Sequence, residues 1–359
     1  MIGWTPDRVW IERGEEDSSI ARRVRARLPH IPIVTADDAR AADAERFADG
    51  KRRLVLQRHR GGFLRHCPAG TTGLVCCNYM VVDFASNCPF DCSYCFLQEY
   101  LANNAAVKAF TNVGDGLAEI AAVLRAHPQR QFRIGTGELA DSLALDAITG
   151  LTADLVPFFA EHRNATLELK TKSDCIDNLL ALDPKGRVVV SWSLNAPAVV
   201  ARDEQGTASL AERIAAARRV QAAGYRLGFH FDPLVEHPGW AEGYRETIAM
   251  LAAAIDAPRV AWISLGSLRL TPGLRAAMRA RPVPTQVLGG ELVPNPDGKL
   301  RVWRGLRMQM YRTVQGYLRD AFPGVATYLC METPAVWQQV RGEAPSDRVV
   351  AQRLVGAAP

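Results

Sequence analysis

Three cysteines stand within eight positions of the sequence, at Cys88, Cys92 and Cys95, in the spacing C-x3-C-x2-C. Thiolates bind zinc and iron–sulfur clusters. A structural zinc site needs four protein ligands, and the nearest further cysteines, Cys76 and Cys77, precede the strand predicted before this loop. Three thiolates suit a four-iron cluster whose fourth iron is open to an exchangeable ligand. We therefore predict a cluster, with zinc or plain buried cysteines as the alternatives.

A glycine-rich strand end follows one structural unit later. Residues 131–135 predict a strand that runs into Gly135–Thr136–Gly137–Glu138. Glycines let the backbone approach a ligand closely, and a glutamate can accept a hydrogen bond from a cationic amino group. Many strand ends carry glycines for turns. This pattern indicates a binding site mainly because it follows the cysteine loop by one structural unit.

Polar side chains recur at the ends of later predicted strands: Lys170, Lys172, Ser191, Ser193, Asn195, His230 and Asp232. Solvation or helix capping explains any single one of them. Their repetition at the same edge favours the lining of a binding site.

The elements that must position these residues alternate along the chain from residue 79 onward. Strands are predicted at 79–85, 131–135, 166–172, 187–193, 225–231 and 260–266. Helices are predicted near 95–104, 114–126, 143–162, 208–222 and 240–256. Six such units predict a parallel sheet covered on both faces, as an open sheet or a partial barrel. The carboxyl ends of parallel strands meet at one edge, so both motifs would share a site.

The two ends of the chain differ from this pattern. Strands at 8–12 and 31–35 with a helix at 17–28 predict a small βαβ-like unit. Residues 51–66 hold six Lys or Arg, two His and no acid. This stretch is interpreted either as a solvated basic face or as a phosphate contact.

A turn signal marks the C-terminal part. Asp297–Gly298 lies between β-prone arms and predicts a hairpin over 291–303, followed by a helix over 304–322.

Composition sets the class of protein. The chain has 359 residues, is 48% hydrophobic and carries a net charge of +5, which excludes a disordered protein and is compatible with a nucleic-acid partner. The N-terminus lacks the apolar core of a signal peptide, and no apolar run approaches the length of a membrane span. We expect a cytoplasmic monomer with no membrane partner. Its eight cysteines would be free thiols in a reducing compartment.

The cysteine spacing together with Gly-x-Gly-Glu resembles the radical S-adenosylmethionine (SAM) superfamily. The resemblance implies a 4Fe-4S cluster on the three cysteines, with SAM on the open iron, where one electron cleaves SAM to a 5′-deoxyadenosyl radical. It also implies a partial (β/α)6 TIM-like barrel, in keeping with the six predicted units. The aromatic residue that the superfamily places near the cluster would be Tyr94.

The same resemblance implies which residues bind SAM: Gly135, Gly137, Glu138, Lys172, Ser193 and Asn195. Glu138 would accept from the amino group of SAM. Lys172 and Ser193 are the candidates for contacts to its carboxylate and ribose.

Six segments resemble the spore photoproduct lyase family more closely. They are 66–101, LELKTK (167–172), GFHFDPL (228–234), ISLGSLR (263–269), DGKLR (297–301) and YLCMETPAVW (328–337). The resemblance implies a lyase that uses the deoxyadenosyl radical to revert a methylene-bridged thymine dimer in double-stranded DNA. A flavodoxin- or ferredoxin-type protein would supply the electron.

The hairpin is the part of the chain that this resemblance places against DNA. Lys299, Arg301 and Arg304 would meet phosphates, and Trp303 would pack against a distorted base step. A solvated basic hairpin is the alternative interpretation.

We accordingly predict three regions. Residues 1–65 form an N-terminal α/β extension with the basic segment, 66–270 the radical SAM partial barrel, and 271–359 a C-terminal region with the DNA-contacting hairpin and helices.

Two departures from the family concern the end of the reaction. The family places a cysteine at the end of the second core strand, which returns a hydrogen atom to the product, and this chain has Gly135 there. The tyrosine that follows the last cluster cysteine in the family is Phe96 here. The candidate donors are Cys175 and Cys330, with the pair Cys76 and Cys77 more often structural.

These departures leave alternatives open. One is a radical SAM enzyme acting on RNA or protein, which the missing donor residues favour. Another is a non-catalytic iron–sulfur protein that binds nucleic acid, which Gly-x-Gly-Glu and the open coordination position disfavour.

Overall fold

Strands and helices alternate through most of the chain in the computed structural model, which describes residues 4–37, 47–68, 73–282, 285–295 and 297–355. Residues 69–72 of the segment 66–101 and Pro296 of the predicted hairpin lie outside this description. The strands are β1 (Arg8–Glu12), β2 (Ile33–Ala36), β3 (Arg53–Gln57), β4 (Leu64–His66), β5 (Tyr79–Val82), β6 (Ala85–Ser86), β7 (Asp91–Cys92), β8 (Val107–Phe110), β9 (Phe132–Gly135), β10 (Ala165–Thr171), β11 (Val188–Ser193), β12 (Glu204–Gln205), β13 (Arg226–Leu234), β14 (Val260–Ser267), β15 (Arg269–Leu270), β16 (Leu292–Pro294), β17 (Leu300–Val302) and β18 (Thr327–Leu329).

The helices are α1 (Ser19–Arg27), α2 (Phe47–Gly50), α3 (Leu97–Tyr100), α4 (Val113–Ala126), α5 (Asp146–Thr149), α6 (Thr152–Ala160), α7 (Pro197–Asp203), α8 (Leu210–Ala222), α9 (Trp240–Ala254), α10 (Pro272–Arg279), α11 (Arg304–Ala321), α12 (Pro334–Arg341) and α13 (Asp347–Val355). In the described part of the chain, no helix combines the length and the apolar character needed to cross a membrane.

The six predicted core strands are parallel neighbours in one sheet, in the order β5-β9-β10-β11-β13-β14. Every residue of β11 and β14 is buried, as expected for strands covered on both faces. The sheet curls into a half barrel, which confirms the predicted partial barrel. Two strands that the sequence did not reveal extend it, β18 in parallel at one edge and β4 antiparallel at the other.

A second sheet of five strands runs in the order β2-β1-β3-β8-β6. The basic stretch 51–66 contributes β3, whose Leu54, Val55 and Leu56 are fully buried. The stretch is therefore only partly a solvated basic face, since Arg52, Arg58, Arg60 and His66 are exposed while a core strand runs between them. Two strands of this sheet come from beyond residue 65, so the extension and the barrel region share it.

The helix predicted over 143–162 is broken into α5 and α6. Gly150 separates them with φ of +61°, a left-handed conformation that ends a helix. The Asp146 carboxylate then accepts from the backbone N–H and the hydroxyl of Thr152, at 2.8 and 2.7 Å. A buried acid thus holds the junction between two shorter helices.

The predicted hairpin is present. Strands β16 and β17 pair antiparallel, and Gly298 has φ of +75° in the turn between them. The strand β15 adds to the other edge of β17 and joins the hairpin to the end of β14. The following helix α11 begins at Arg304, as predicted.

Candidate active site

The cysteine loop is clamped from several sides at the carboxyl edge of β5. Strand β7 within it pairs antiparallel with β12, which sets Cys92 opposite Glu204. The N–H and hydroxyl of Ser93 donate to Asp203, at 2.8 and 2.7 Å. Arg281 holds Asp91 at 2.7 Å, and the buried Lys51 ammonium donates to the carbonyl of Phe90. These contacts fix the backbone that carries the three thiols.

The three loop cysteines are free thiols in this structure, as are the other five of the chain. Burial raises the pKa of Cys92 to about 12 and that of Cys88 further above its usual range. A turn joins Cys92 to the third cysteine, because the Cys95 N–H donates to the Cys92 carbonyl at 3.2 Å. Within the described ranges, no three His, Cys, Asp or Glu side chains are preassembled as a metal site.

The donor set nevertheless fits an iron–sulfur cluster. Thiolates are the ligating form, so a bound cluster would take the place of the thiol protons. The backbone N–H of Phe90 already points to the Cys88 sulfur, a contact that favours a negative charge there. The positive charges of Lys51 and Lys172 likewise favour a thiolate at Cys92, because they lower its pKa.

A buried ionic network lies beside this loop. The Tyr94 hydroxyl donates to Glu204, which also pairs with Arg213 at 2.6 Å. The Lys172 ammonium lies 5.6 Å from the centre of the Tyr94 ring. Burial alone would lower the pKa of Lys172, but Glu204 and the Cys92 thiol raise it above its ordinary value. The structure thus joins Tyr94 and Lys172, two predicted site residues, next to the cluster loop.

The Gly-x-Gly-Glu segment lies at the end of the neighbouring strand β9. A Cβ at Gly137 would lie 2.9 Å from the Cβ of Lys170 on β10, so this close approach requires glycine. Asp141 fixes the same edge by accepting from the Thr171 hydroxyl and the Lys172 N–H, each at 2.7 Å. The loops after β9 and β10 are therefore locked together.

Glu138 is not a free carboxylate in this structure. Its Oε2 lies 2.6 Å from Arg65 of β4, which also donates to Asp83 at 2.8 Å. Burial raises the pKa of Glu138 above its usual value, and Arg65 opposes that rise. An incoming ammonium group would have to share the Glu138 carboxylate with Arg65 or displace Arg65 from it.

The two predicted cofactor residues at the end of β11 differ in their availability. Ser193 is buried at the strand end, where its carbonyl accepts from Arg213 at 3.0 Å. The Asn195 side chain is occupied, since it donates to the Pro233 carbonyl at 3.1 Å and accepts from the Tyr244 hydroxyl at 2.5 Å. Asn195 is 1% exposed and supports the strand ends in this structure, and its contact with SAM stays a prediction.

The candidate hydrogen donors occupy different places. Cys330 follows β18, and its thiol hydrogen-bonds to Asp232 at the end of β13. Burial, and then Asp232, raise the pKa of Cys330 well above its usual range, so it stays a protonated thiol. Cys175 lies in the loop after β10, where its N–H donates to the Ser173 hydroxyl at 2.9 Å.

The vicinal cysteines precede β5. Their side chains hydrogen-bond to each other, which lowers the pKa of Cys76 to about 7 and raises that of Cys77 well above its usual range. The Cys76 N–H also donates to Asp347 of α13 at 2.8 Å, a contact that supports a structural role for this residue.

Sequence reasoning missed a charged cluster inside the barrel. Glu168 accepts from Arg133 at 2.7 and 3.0 Å, from Ser191 at 2.8 Å and from His230 Nε2 at 2.7 Å. Burial lowers the pKa of His230 to about 4, so it is neutral and donates from Nε2 while Nδ1 faces the Ser264 hydroxyl at 2.6 Å. The available signal was Arg133 inside the short strand β9 and Glu168 in the middle of the neighbouring strand β10.

The hairpin residues divide into an exposed and a buried group. Trp303 is 54% exposed, and Arg304 is exposed beside it. Arg301 is 2% exposed, donates to the Met331 carbonyl at 2.8 Å and pairs with Asp297. Both sides of the Arg301 guanidinium thus serve the fold in this structure, and its contact with DNA phosphates stays a prediction.

Lys299 lies between these two groups. It is partly exposed, and burial, then Arg269, lower its pKa from the ordinary value. It remains within reach of an added anion, unlike Arg301.

Comparisons with known proteins point to one family. The family model described as "Spore photoproduct lyase" matches residues 43–268. The spore photoproduct lyase of Bacillus subtilis (strain 168) is 30% identical over 174 residues, which are 48% of this chain and 51% of that one. The corresponding protein of Clostridium acetobutylicum is 24% identical over 206 residues, 57% of this chain and 59% of that one. The matched part thus spans only about half of the length of these relatives.

Solved structures extend the likeness at the level of the fold. A spore photoproduct lyase variant with bound AdoMet and dinucleoside spore photoproduct superposes with a TM-score of 0.79 at 22% identity. The match covers 91% of this chain and 99% of that one. A second variant, with dinucleoside spore photoproduct, gives a TM-score of 0.80 with the same coverage.

Proposed function

This chain belongs to the spore photoproduct lyase family, and we propose that it is a radical SAM enzyme that reverts a methylene-bridged thymine dimer in DNA. The relative that was solved with AdoMet and dinucleoside spore photoproduct has the same fold and supports this choice of cofactor and lesion. In this proposal the predicted barrel region, 66–270, carries the reaction. The extension 1–65 precedes it, and the region 271–359 contacts the substrate.

One observation carries the proposal. The loop with Cys88, Cys92 and Cys95 and the segment ending in Glu138 follow neighbouring parallel strands, β5 and β9, and therefore share one edge of the barrel. Lys172 follows the next strand, β10, and brings a half-buried lysine side chain to the same edge. Three thiols, a carboxylate and a cation at one strand edge match the needs of a cluster and an amino acid-like cofactor.

The residues at this edge have distinct roles in the proposed reaction. The three loop cysteines would hold a 4Fe-4S cluster, and a cluster with SAM supplies a 5′-deoxyadenosyl radical when both are bound. Glu138 accepts from the SAM amino group, and Lys172 pairs with the SAM carboxylate while Glu204 keeps its ammonium charged. Tyr94 packs against Lys172 and fixes its position. Ser193 at the end of β11 is the candidate ribose contact.

The C-terminal hairpin would provide the DNA contact of this enzyme. Trp303 offers an exposed aromatic face for a distorted base step, and Lys299 and Arg304 offer cations for the flanking phosphates. The partners are then duplex DNA with a thymine lesion and a flavodoxin- or ferredoxin-type reductant.

Anaerobic reconstitution with iron and sulfide tests the proposal. The protein is given SAM, dithionite and dinucleoside spore photoproduct, and 5′-deoxyadenosine and released thymidine are quantified. We expect both products, and neither from the Cys92→Ala protein. Formation of 5′-deoxyadenosine without thymidine would contradict the lesion assignment and leave a radical SAM enzyme with another substrate. Absence of both from a protein with a fully loaded cluster would contradict the enzymatic assignment itself.

A further inference from the structure

The space next to Gly135 is filled by a tyrosine from the neighbouring strand. A Cβ built on Gly135 would lie 1.8 Å from the hydroxyl oxygen of Tyr79 and 2.8 Å from the Glu168 carbonyl. The shorter distance is about the length of one carbon–sulfur bond. The Tyr79 oxygen therefore occupies the space that a side chain at residue 135 would need.

The Tyr79 hydroxyl has no structural task of its own. It is buried from water, and no described residue accepts or donates a hydrogen bond to it. A buried hydroxyl without a partner is costly, so its presence calls for an explanation. The ring itself is partly exposed and is held by Arg133, whose guanidinium carbon lies 5.0 Å from the ring centre.

The placement is also chemically suited to hydrogen-atom donation. Gly135 begins Gly-x-Gly-Glu, so the phenol lies at the strand edge to which the proposed function assigns SAM. Burial raises the pKa of Tyr79 well above its usual value, which keeps the O–H bond intact. An intact O–H is what a donor of a hydrogen atom needs.

We propose that Tyr79 is the residue that returns a hydrogen atom to the substrate radical, from the position that a side chain at 135 would otherwise occupy. The inference rests on the proposed function, since it requires a carbon radical at this edge. Tyr79 would then be a catalytic residue, and Gly135 the residue whose lack of a side chain makes room for it.

The step transfers one hydrogen atom from Tyr79 to the substrate radical. Removal of one hydrogen atom from the bridged dimer lets the bridging carbon–carbon bond break, which releases one thymine and leaves a methylene radical on the other. The O–H bond of Tyr79 breaks and a C–H bond forms, which completes the methyl group. The tyrosyl radical then takes one electron from a low-potential one-electron donor, the class that also reduces the cluster, and one proton from water.

Two of the candidate thiols already have hydrogen-bond partners. The Cys330 thiol is engaged with Asp232, and the side chain of Cys77 is engaged with Cys76. The Tyr79 hydroxyl has no such competing contact among the described residues.

Solvent deuterium tests the proposal directly. The reconstituted enzyme repairs dinucleoside spore photoproduct in D2O, and mass spectrometry measures deuterium in the released thymidine. We expect one deuterium per repaired dimer in the wild type. In Tyr79→Phe, 5′-deoxyadenosine still forms, but the deuterium label and the yield of thymidine per 5′-deoxyadenosine are lost.

A matched control is Tyr328→Phe, which removes another buried phenol beside Arg133, one whose oxygen accepts a hydrogen bond from the guanidinium at 3.1 Å. It should keep the label. Retention of the label in Tyr79→Phe, or its loss in Cys330→Ser or Cys77→Ser instead, would overturn the role of Tyr79 and leave the proposed function standing. A wild type that makes 5′-deoxyadenosine but no thymidine would overturn both.

A second test needs no cofactor. Gly135→Ala should lower the melting temperature of the cofactor-free protein, because its methyl group collides with the Tyr79 hydroxyl. The loss should become smaller when Gly135→Ala is combined with Tyr79→Ala, compared with Tyr79→Ala alone, and the remainder is due to the Glu168 carbonyl 2.8 Å from the added methyl group. The exchange variant Gly135→Cys with Tyr79→Ala should recover the deuterium label through a thiol. Equal melting temperatures of wild type and Gly135→Ala would show that the hydroxyl does not fill this space.

Discussion

Arg65 and Glu138 form an ion pair of 2.6 Å that joins the edge strand β4 to the loop after β9. The pair closes the place where the proposed function puts the amino group of SAM. Arg65 keeps a second partner in Asp83, at 2.8 Å, so it need not lose all its contacts when Glu138 is taken by a ligand. SAM binding would therefore exchange one charged hydrogen-bond partner of Glu138 for another.

Replacement of Glu138 by Gln should weaken SAM binding by roughly 1–3 kcal/mol, the scale for losing a hydrogen bond to a charged group. The cluster should remain, because the three cysteines are untouched. Calorimetric titration of the reconstituted protein with SAM measures the change. Asp83→Asn is the matched control, since it removes the other partner of Arg65, and unchanged affinity in Glu138→Gln would place the amino group elsewhere.

Each loop cysteine should be essential for the cluster. Alanine at Cys88, Cys92 or Cys95 removes one of three thiolate ligands, and we expect the brown thiolate–iron absorption of the reconstituted protein to be lost. Cys330→Ala serves as the control and should keep the colour, because Cys330 lies by Asp232 and outside the loop. A fully coloured Cys92→Ala protein with its complete iron content would contradict the assignment.

The hairpin should bind DNA through its accessible cations. Lys299→Ala together with Arg304→Ala should flatten the salt dependence of duplex binding by about two units of slope, roughly one for each lost phosphate contact. Fluorescence anisotropy at several salt concentrations measures the slope. Wild-type affinity of the double variant at every salt concentration would argue for a substrate other than DNA.

Arg301 should behave differently from its neighbours. Its guanidinium is buried against Asp297 and the Met331 carbonyl, so Arg301→Ala leaves a charge and a carbonyl unpaired. We expect a loss of stability of roughly 3–5 kcal/mol, the scale for breaking a buried ion pair. Urea denaturation measures it, and a variant that loses DNA affinity at full stability would support Arg301 as a phosphate contact.

The network around Glu168 should make the fold less stable in acid. Burial holds the folded pKa of His230 at about 4, below its ordinary 6.5, so between these values the unfolded chain binds a proton that the folded chain does not. Stability should therefore be full above pH 6.5 and fall as the pH drops toward 4, by up to about 3 kcal/mol.

Urea midpoints measured on both sides of pH 6.5 check this dependence. The fall with pH should be smaller in His230→Gln, whereas His127→Gln, which removes an exposed histidine, should follow the wild type. An identical slope in His230→Gln would assign the acid sensitivity to other groups.

Local patterns determined much of this protein. The C-x3-C-x2-C spacing, the Gly-x-Gly-Glu strand end and the alternation of apolar strands with helices lie within single elements or adjacent ones. The six predicted core strands all form and lie side by side in the order of the chain. Asp297–Gly298 predicted its hairpin for the same reason, because a tight turn depends on the residues within it.

Contacts between distant segments were decided only by the tertiary structure. Whether Arg301 or Arg304 faces outward depends on Met331 and Asp297, and the partner of Glu138 comes from the edge strand β4, which the sequence did not reveal. The clearest case is Gly135. In the sequence of its own strand, this glycine indicates only that a hydrogen-donating side chain is missing. The neighbouring strand fills that space with the hydroxyl of Tyr79, because strand register sets which side chains meet across a sheet.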